Sequence, residues 1–291
     1  MICKSFENPF ITHKILYDDI MEDILDTRHA EPPEPILPRN YSSKFNILDW
    51  SEVEIARQLT YISFNLLQNI KTDELLLAKW TKSEKDIKSP NVMKLIYRFN
   101  NVSYWVCEEI LSYEKALHRA QAINKFLKVA LECKKLNNFN DCTNIITGLN
   151  SFLIKNLSKT WLRIDIDHLN IFSELNTFCS PNKNYIRLKQ ATEAIKSDPC
   201  IPYLGLMLKN LAFIEEGPKY LKDDLINVLK IKKVGMILDE FKNQLQHNKY
   251  YIKPVFSLFI LAEPKPKSED ELSKLADALG ILLLFNFLRA F

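Results

Sequence analysis

From Ser51 onward, apolar residues recur every three or four positions in one segment after another, and this spacing restricts the chain to helices. Ile55, Leu59, Ile62 and Leu66 share one face, and Val92, Ile96, Phe99, Val102, Val106 and Ile110 share another. Ala116, Ala120, Ile123, Leu127, Ala130 and Leu131 form a third stripe, and Leu225, Leu229, Val234, Ile237, Leu238 and Phe241 a later one. No stretch sustains the polar–apolar alternation of a half-buried strand, and no repeat of fixed period is visible. Five glycines in 291 residues agree with helices rather than a glycine-rich α/β enzyme. The expected fold class is all-α, a single large helical bundle domain.

Prolines and caps divide the chain. Residues 1–46 read as an N-terminal extension with one amphipathic helix near Lys14–Asp26, followed by the linker Glu31-Pro32-Pro33-Glu34-Pro35-Ile36-Leu37-Pro38. Four prolines in seven residues cannot be helix interior. The compact domain is expected to occupy 47–291. Ser51 with Glu54 three residues later is a capping box, and Ser89-Pro90-Asn91 opens a second helix with proline in the first turn. A third helix runs from about Lys115 to Leu136, and Asn137–Asp141 separates it from a short one at about Cys142–Leu149. Pro264 and Pro266 mark a second linker, and Ser268 with Glu271 opens a last helix. The apolar end, Leu279–Phe291, reads either as a strip docked on the domain or as a membrane or partner contact.

Several chemistries lack a foothold in the sequence. Six cysteines and five histidines show no CxxC pair and no metal-ligand spacing, so no metal is expected and reduced thiols are the default. GxGxxG and GxxxxGK[ST] phosphate loops are missing, and no cofactor is expected. A net charge of +3 without a basic stripe argues against nucleic acid. The N-terminus shows no long apolar core, so no secretory signal is expected, and no window offers 18 uninterrupted apolar residues. No nucleophile–base pair stands out.

Pro199–Gly217, PCIPYLGLMLKNLAFIEEG, breaks helix rules. It is apolar nearly all round and ends in two carboxylates, where the helix dipole is already negative. That placement costs a few tenths to ~1 kcal/mol. Local rule-breaking of this kind tends to mark function. Gly217-Pro218 ends the helix, with glycine suited to a left-handed cap. The next helix follows after a turn expected to span only a few residues, so the pair is expected to lie antiparallel as a hairpin, about Ile201 to Leu245.

Three blocks carry a family resemblance. The first is Glu54-Ile55-Ala56-Arg57-Gln58-Leu59-Thr60 with Glu74-Leu75, Trp80-Thr81-Lys82 and Ser89-Pro90-Asn91. The second is Asn138-Phe139-Asn140 leading to Gly148-Leu149-Asn150-Ser151, Leu157 and Thr160-Trp161. The third is Pro199–Gly217. In order and spacing, from about Ile47 to about Leu275, the chain resembles the catalytic domain of Ras guanine nucleotide exchange factors. The resemblance implies a partner, a Ras-subfamily small GTPase of Ras, Rap or Ral type. It implies a regulator without bond-making chemistry that seats switch II on a helical core and presses a protruding hairpin against switch I, releasing GDP so that GTP can load. The expected setting is the cytoplasm, at membranes carrying the GTPase, with the protein as a monomer.

The resemblance also assigns roles. Glu216 corresponds to the acid that reaches the phosphate and magnesium region; by residue type alone it is a solvated helix end. Glu215 reads as its solvated neighbour. Ala212 stands where a leucine near the magnesium site is common. Phe213 and Lys209 lie about one and two turns before Glu216, in reach of switch I, or are a packed phenylalanine and a surface lysine. Asn150 corresponds to an asparagine at the switch II site, or is simply a helix C-cap. Ile96, Tyr185 and Tyr203 correspond to the apolar pocket for a switch II aromatic, or are ordinary core. Arg57 and Trp80 read as scaffold. Residues 1–46 are too short for the helical module that usually supports the hairpin, and no regulatory module is visible. A catalytically inactive decoy or scaffold that binds a GTPase is the alternative, and an effector delivered by an intracellular bacterium is one origin compatible with so bare a domain.

Overall fold

The computed structural model describes residues 32–38, 46–195, 198–222, 225–246 and 250–255, with 271, 272 and 274. The helix read near Lys14–Asp26, the start of the last helix at Ser268 and the apolar end Leu279–Phe291 lie outside the described residues. The chain separates into two compact units. The smaller comprises Met1–Glu34 and Tyr251–Lys253, and within it Lys253 pairs with Glu34. The larger comprises Pro35–Tyr250 and Pro254–Phe291 and holds everything discussed below.

The larger unit is all-α, as the periodicity requires. Its main helices are α1 (Glu52–Gln68), α2 (Pro90–Leu111), α3 (Ala116–Lys135), α4 (Phe139–Leu149), α5 (Ile166–Phe178), α6 (Ile186–Ala194), α7 (Leu204–Glu216) and α8 (Val228–Gln246). Among the described residues the sole sheet is a two-stranded antiparallel ribbon, β1 (Leu221–Lys222) with β2 (Leu225–Ile226). Helices α1–α4 bury their stripes in one large cluster that includes Ile55, Leu59, Val102, Ile123, Phe126 and Leu149. A second cluster gathers Leu204, Leu208 and Leu211 of α7, Val234, Leu238 and Phe241 of α8, and Leu75 and Trp80. Each fully buried leucine contributes ~1.5–3 kcal/mol relative to exposure.

Several family blocks turn out to be buried polar joints. Glu74 reaches the start of α2, where its carboxylate accepts from Asn91 N at 2.8 Å, Asn91 Nδ2 at 2.7 Å and Val92 N at 3.2 Å. A carboxylate there satisfies orphan amides and complements the helix dipole. Ser89 Oγ donates to the Glu74 carbonyl at 2.9 Å. Asp141, fully buried, accepts from Ser63 Oγ, from Asn138 Nδ2 at 2.8 Å and from Asn144 Nδ2 at 3.1 Å, and stands 3.8 Å from Arg98 Nη2. Thr160, also buried, accepts from Arg119 Nε at 3.0 Å. Arg57 is scaffold, bonded to Glu54 at 3.5 Å, and Trp80 is buried in the second cluster.

Four expectations need correction. Ser51 precedes α1 but its side chain makes no capping bond. Glu54 is instead buried and accepts from Gln58 Nε2 at 2.7 Å and Ile36 N at 3.0 Å, so it cannot reach back. Helix α4 begins at Phe139, three residues early, because Asn138 Oδ1 accepts from Asp141 N at 2.9 Å and caps it. Gly217 is not left-handed: its φ is −73° and ψ −165°. The proline that follows disfavours helical geometry at the preceding residue and drives it extended. Finally, α7 and α8 are joined not by a turn of a few residues but by residues 217–227, which fold the ribbon. Leu225, read as the first residue of the α8 stripe, lies in β2.

Candidate functional site

Helices α2, α4 and α5 and the start of α7 enclose a cavity of about 950 Å³, lined by Phe99, Ser103, Cys107, Ile146, Asn150, Asn176, Cys179, Tyr185, Tyr203 and others. Gly148 allows α4 to lie against α2: a Cβ there would come within 2.8 Å of the Ser103 carbonyl oxygen and of Val106 Cβ. Asn150 is the C-cap of α4, and it also lines the cavity. Its Nδ2 donates to the Ile146 carbonyl at 2.9 Å and to Asn176 Oδ1.

Tyr185 and Tyr203 meet in this cavity with ring centroids 5.2 Å apart, and Phe99 stands 6.0 Å from Tyr203. Burial, reinforced by Tyr185, pushes the Tyr203 hydroxyl well above its ordinary range, so it stays protonated and able to donate. Two backbone features place the rings. Lys183, Asn184 and Tyr185 adopt left-handed φ of 49°, 56° and 57° in succession, a conformation that β-carbon sterics disfavour and that marks constrained sites. Gly205 leaves room for the Tyr203 ring, since a Cβ would sit 2.5 Å from its Cζ and Oη. Ile96 is not among the cavity residues. It lies one turn before Phe99 on α2, half-buried against the second cluster. Phe99, Asn176 and Cys179 join the cavity without a signal in the sequence, where Phe99 and Cys179 look like ordinary helical core and Asn176 like a polar surface residue.

Helix α7 leads away from the cavity. Main-chain bonds fix its base: Phe139 N donates to the Ile201 carbonyl at 2.9 Å, and Ile201 N to the Asn137 carbonyl at 3.0 Å. Lys209 is exposed, with Nζ 3.0 Å from Asn184 Oδ1 and 5.9 Å from the Tyr185 ring centroid. Ala212 is half-buried against the second cluster. Phe213 is 76% exposed, which removes the packed-core reading.

The two terminal acids differ, and Glu215 corrects the expectation that it is solvated. It is locked in place: Tyr220 Oη donates to Oε1, and Lys230 Nζ lies 3.4 Å from Oε2 and donates to the Glu215 carbonyl at 3.1 Å. Lys230 is only 6% exposed and sits 4.4 Å over the Tyr220 ring. Burial and the bond to Glu215 push the Tyr220 hydroxyl up to about 12. This lysine neutralises one carboxylate at the negative helix end and folds the first turn of α8 back onto the last turn of α7. Glu216 is exposed, and among the described residues its carboxylate has no hydrogen-bond or ion-pair partner.

No group of ligating side chains suited to a metal occurs among the described residues. None of their helices is long and apolar enough to cross a membrane.

Helical core, wide aromatic groove and a helix ending in exposed Phe213 and Glu216 together define an all-α domain built around side chains that face outward. The chain belongs to the RasGEF domain family, whose profile matches residues 54–232, more than half of its length. It is 37% identical over 229 residues to Ras guanine nucleotide exchange factor Q of Dictyostelium discoideum, covering 77% of this chain and 18% of that protein. It is 42% identical over 192 residues to exchange factor E of the same organism, covering 65% and 18%. With exchange factor A it shares 33% identity over 249 residues, covering 82% and 41%. The chain thus spans less than half the length of these relatives.

Proposed function

We propose that this chain is a guanine nucleotide exchange factor for a Ras-subfamily GTPase. The groove seats switch II, with Asn150 as a polar contact and Tyr185 and Tyr203 receiving an aromatic side chain. The hairpin of α7 and α8 projects toward switch I, where Lys209, Ala212 and Phe213 make contact. Glu216 competes with phosphate for the same donors and the same cation. Release follows from differential affinity, the domain binding the nucleotide-free GTPase better than the loaded one. The protein works as a monomer in the cytoplasm, at membranes that carry the GTPase.

The observation that carries this reading is the division of labour between the two acids. Glu215 holds the hairpin together, leaving Glu216 exposed about 20 Å along α7 from Tyr203, at 1.5 Å per residue. The family relationship supplies the partner class.

Ala212 favours a second reading. A methyl group blocks less of a metal site than a leucine would, which suits a binder that sequesters the GTPase without opening it. Ras, Rap and Ral loaded with fluorescent GDP separate the two. Accelerated release from one of them supports exchange, whereas binding without release supports the decoy. Glu216→Ala is expected to slow release about tenfold, equivalent to ~1.4 kcal/mol of transition-state stabilisation, with an unchanged melting temperature. Unchanged release at equal stability would remove Glu216 from the mechanism.

A further inference from the structure

We infer that Cys142 and Cys179 form a redox-modification site, a dithiol that a hydroperoxide converts to a disulfide in the wall of the groove. Their sulfurs lie 3.8 Å apart although the residues are 37 apart in sequence, one within α4 and the other at the C-cap of α5. That separation exceeds the ~2.05 Å of a disulfide by less than ~2 Å. Five cysteines are described, and all five are reduced.

The two partners are unequal, as a peroxide-reactive pair requires. Cys179 lines the 950 Å³ cavity and is 7% exposed, so a small oxidant reaches it from the groove; Cys142 is wholly buried behind it. The hydrogen bond with Cys142 holds the Cys179 thiol below its ordinary range against the opposing effect of burial, with Thr143 Oγ1 at 3.6 Å and the Lys134 ammonium adding to the shift. That same bond, and burial, push Cys142 up. Burial alone pushes Cys200 up, and it is the largest cause for Cys107 and Cys133. Since the thiolate is the nucleophile, Cys179 reacts first.

The chemistry balances with the hydroperoxide as the only oxidant. The Cys179 sulfur attacks the O–O bond and becomes a sulfenic acid; the leaving oxygen takes the Cys179 proton and departs as water when the oxidant is hydrogen peroxide. The Cys142 sulfur then attacks the Cys179 sulfur, the S–S bond forms, and the sulfenic oxygen leaves as a second water carrying the Cys142 proton. Two electrons pass from the thiols to the peroxide. The product fastens the end of α5 to α4, the helix that ends in Asn150. Intracellular disulfides of this kind are typically transient and redox-sensing.

The test needs no GTPase, so its result stands apart from any exchange assay. The reduced full chain is exposed to hydrogen peroxide, alkylated, digested without reductant and mapped by mass spectrometry. The expected product is a single Cys142–Cys179 cross-linked peptide that dithiothreitol separates, formed about tenfold faster than any modification of Cys107. The oxidised chain should also melt at a higher temperature, because the cross-link restricts the unfolded state. In Cys142→Ala the Cys179 sulfenic acid should persist and be trapped by dimedone. Cys179 accumulating as sulfinic acid with Cys142 still alkylatable, or oxidation spread evenly over the thiols, would overturn the proposal. The cross-link is mapped in the unmutated chain, so the proposal stands or falls there even if the variant folds poorly.

Discussion

Phe213→Asp is expected to slow GDP release from the cognate GTPase about thirtyfold while leaving the melting temperature within a degree. Exposed aromatic anchors at interfaces cost on the order of 2 kcal/mol or more when lost, and 2 kcal/mol is about a factor of thirty. The stability half of this expectation rests on position. Leu204, Leu208 and Leu211 take the inward face of α7, and Phe213 points away with three quarters of its surface exposed. Surface changes of that kind usually fall within about 0.5 kcal/mol. Fluorescent-nucleotide release and a thermal melt on the same preparation check both halves. A large drop in melting temperature would mean that the ring is packed after all; normal release from a stable variant would remove α7 from the contact with switch I.

Asp141→Ala should cost about 3–5 kcal/mol of unfolding free energy, out of roughly 5–15 for a typical domain. The carboxylate is fully buried, and removing it takes the acceptor from Ser63, Asn138 and Asn144 together. It also takes the negative charge from beside Arg98, itself 6% exposed. Breaking a buried hydrogen-bond and ion-pair network is among the few single changes with so large an effect. A shift of the urea midpoint at constant slope is the measurement. Asp141→Asn, which keeps the shape and some of the hydrogen bonds, should fall between the parent chain and the alanine variant. A midpoint for the alanine variant within about 1 kcal/mol of the parent chain would show that water or neighbouring groups take over.

The helices are legible because burial imposes a period on the sequence. The stripes through Val92–Ile110 and Ala116–Leu131 fall within α2 and α3, although Ile96, Phe99, Ala116 and Leu131 are only half-buried. What the period does not encode is which polar group answers which. Ser51 and Glu54 have the spacing of a capping box, yet Glu54 spends its oxygens on Gln58 and Ile36. Glu74 caps a helix sixteen residues downstream, a relationship that no local motif predicts. Likewise, Glu215 and Glu216 are chemically identical neighbours, and only the positions of Tyr220 and Lys230 decide which is bound.

The groove is legible in part. Asn150, Tyr185 and Tyr203 follow from family resemblance and do line one cavity, whereas Ile96 lies a turn away from it. Left-handed geometry at Lys183–Tyr185 leaves only the mark of Asn184, since no glycine stands there. The ribbon between α7 and α8 is hidden for a different reason: two strands of two residues are too short to alternate. Cys142 and Cys179 meet only because the fold brings the C-cap of α5 to α4, so their separation along the chain carries no spacing signal.

The main-chain hydrogen bonds joining residues 137 and 139 to Ile201 have a consequence for how this domain can vary. Ordinary side-chain replacement leaves peptide groups in place, so the anchorage at the base of α7 is not adjustable by point substitution along this joint. Proline, or an inserted or deleted residue, is needed to loosen it. Substitution can therefore change the surfaces that α7 presents while the point from which it starts stays where it is.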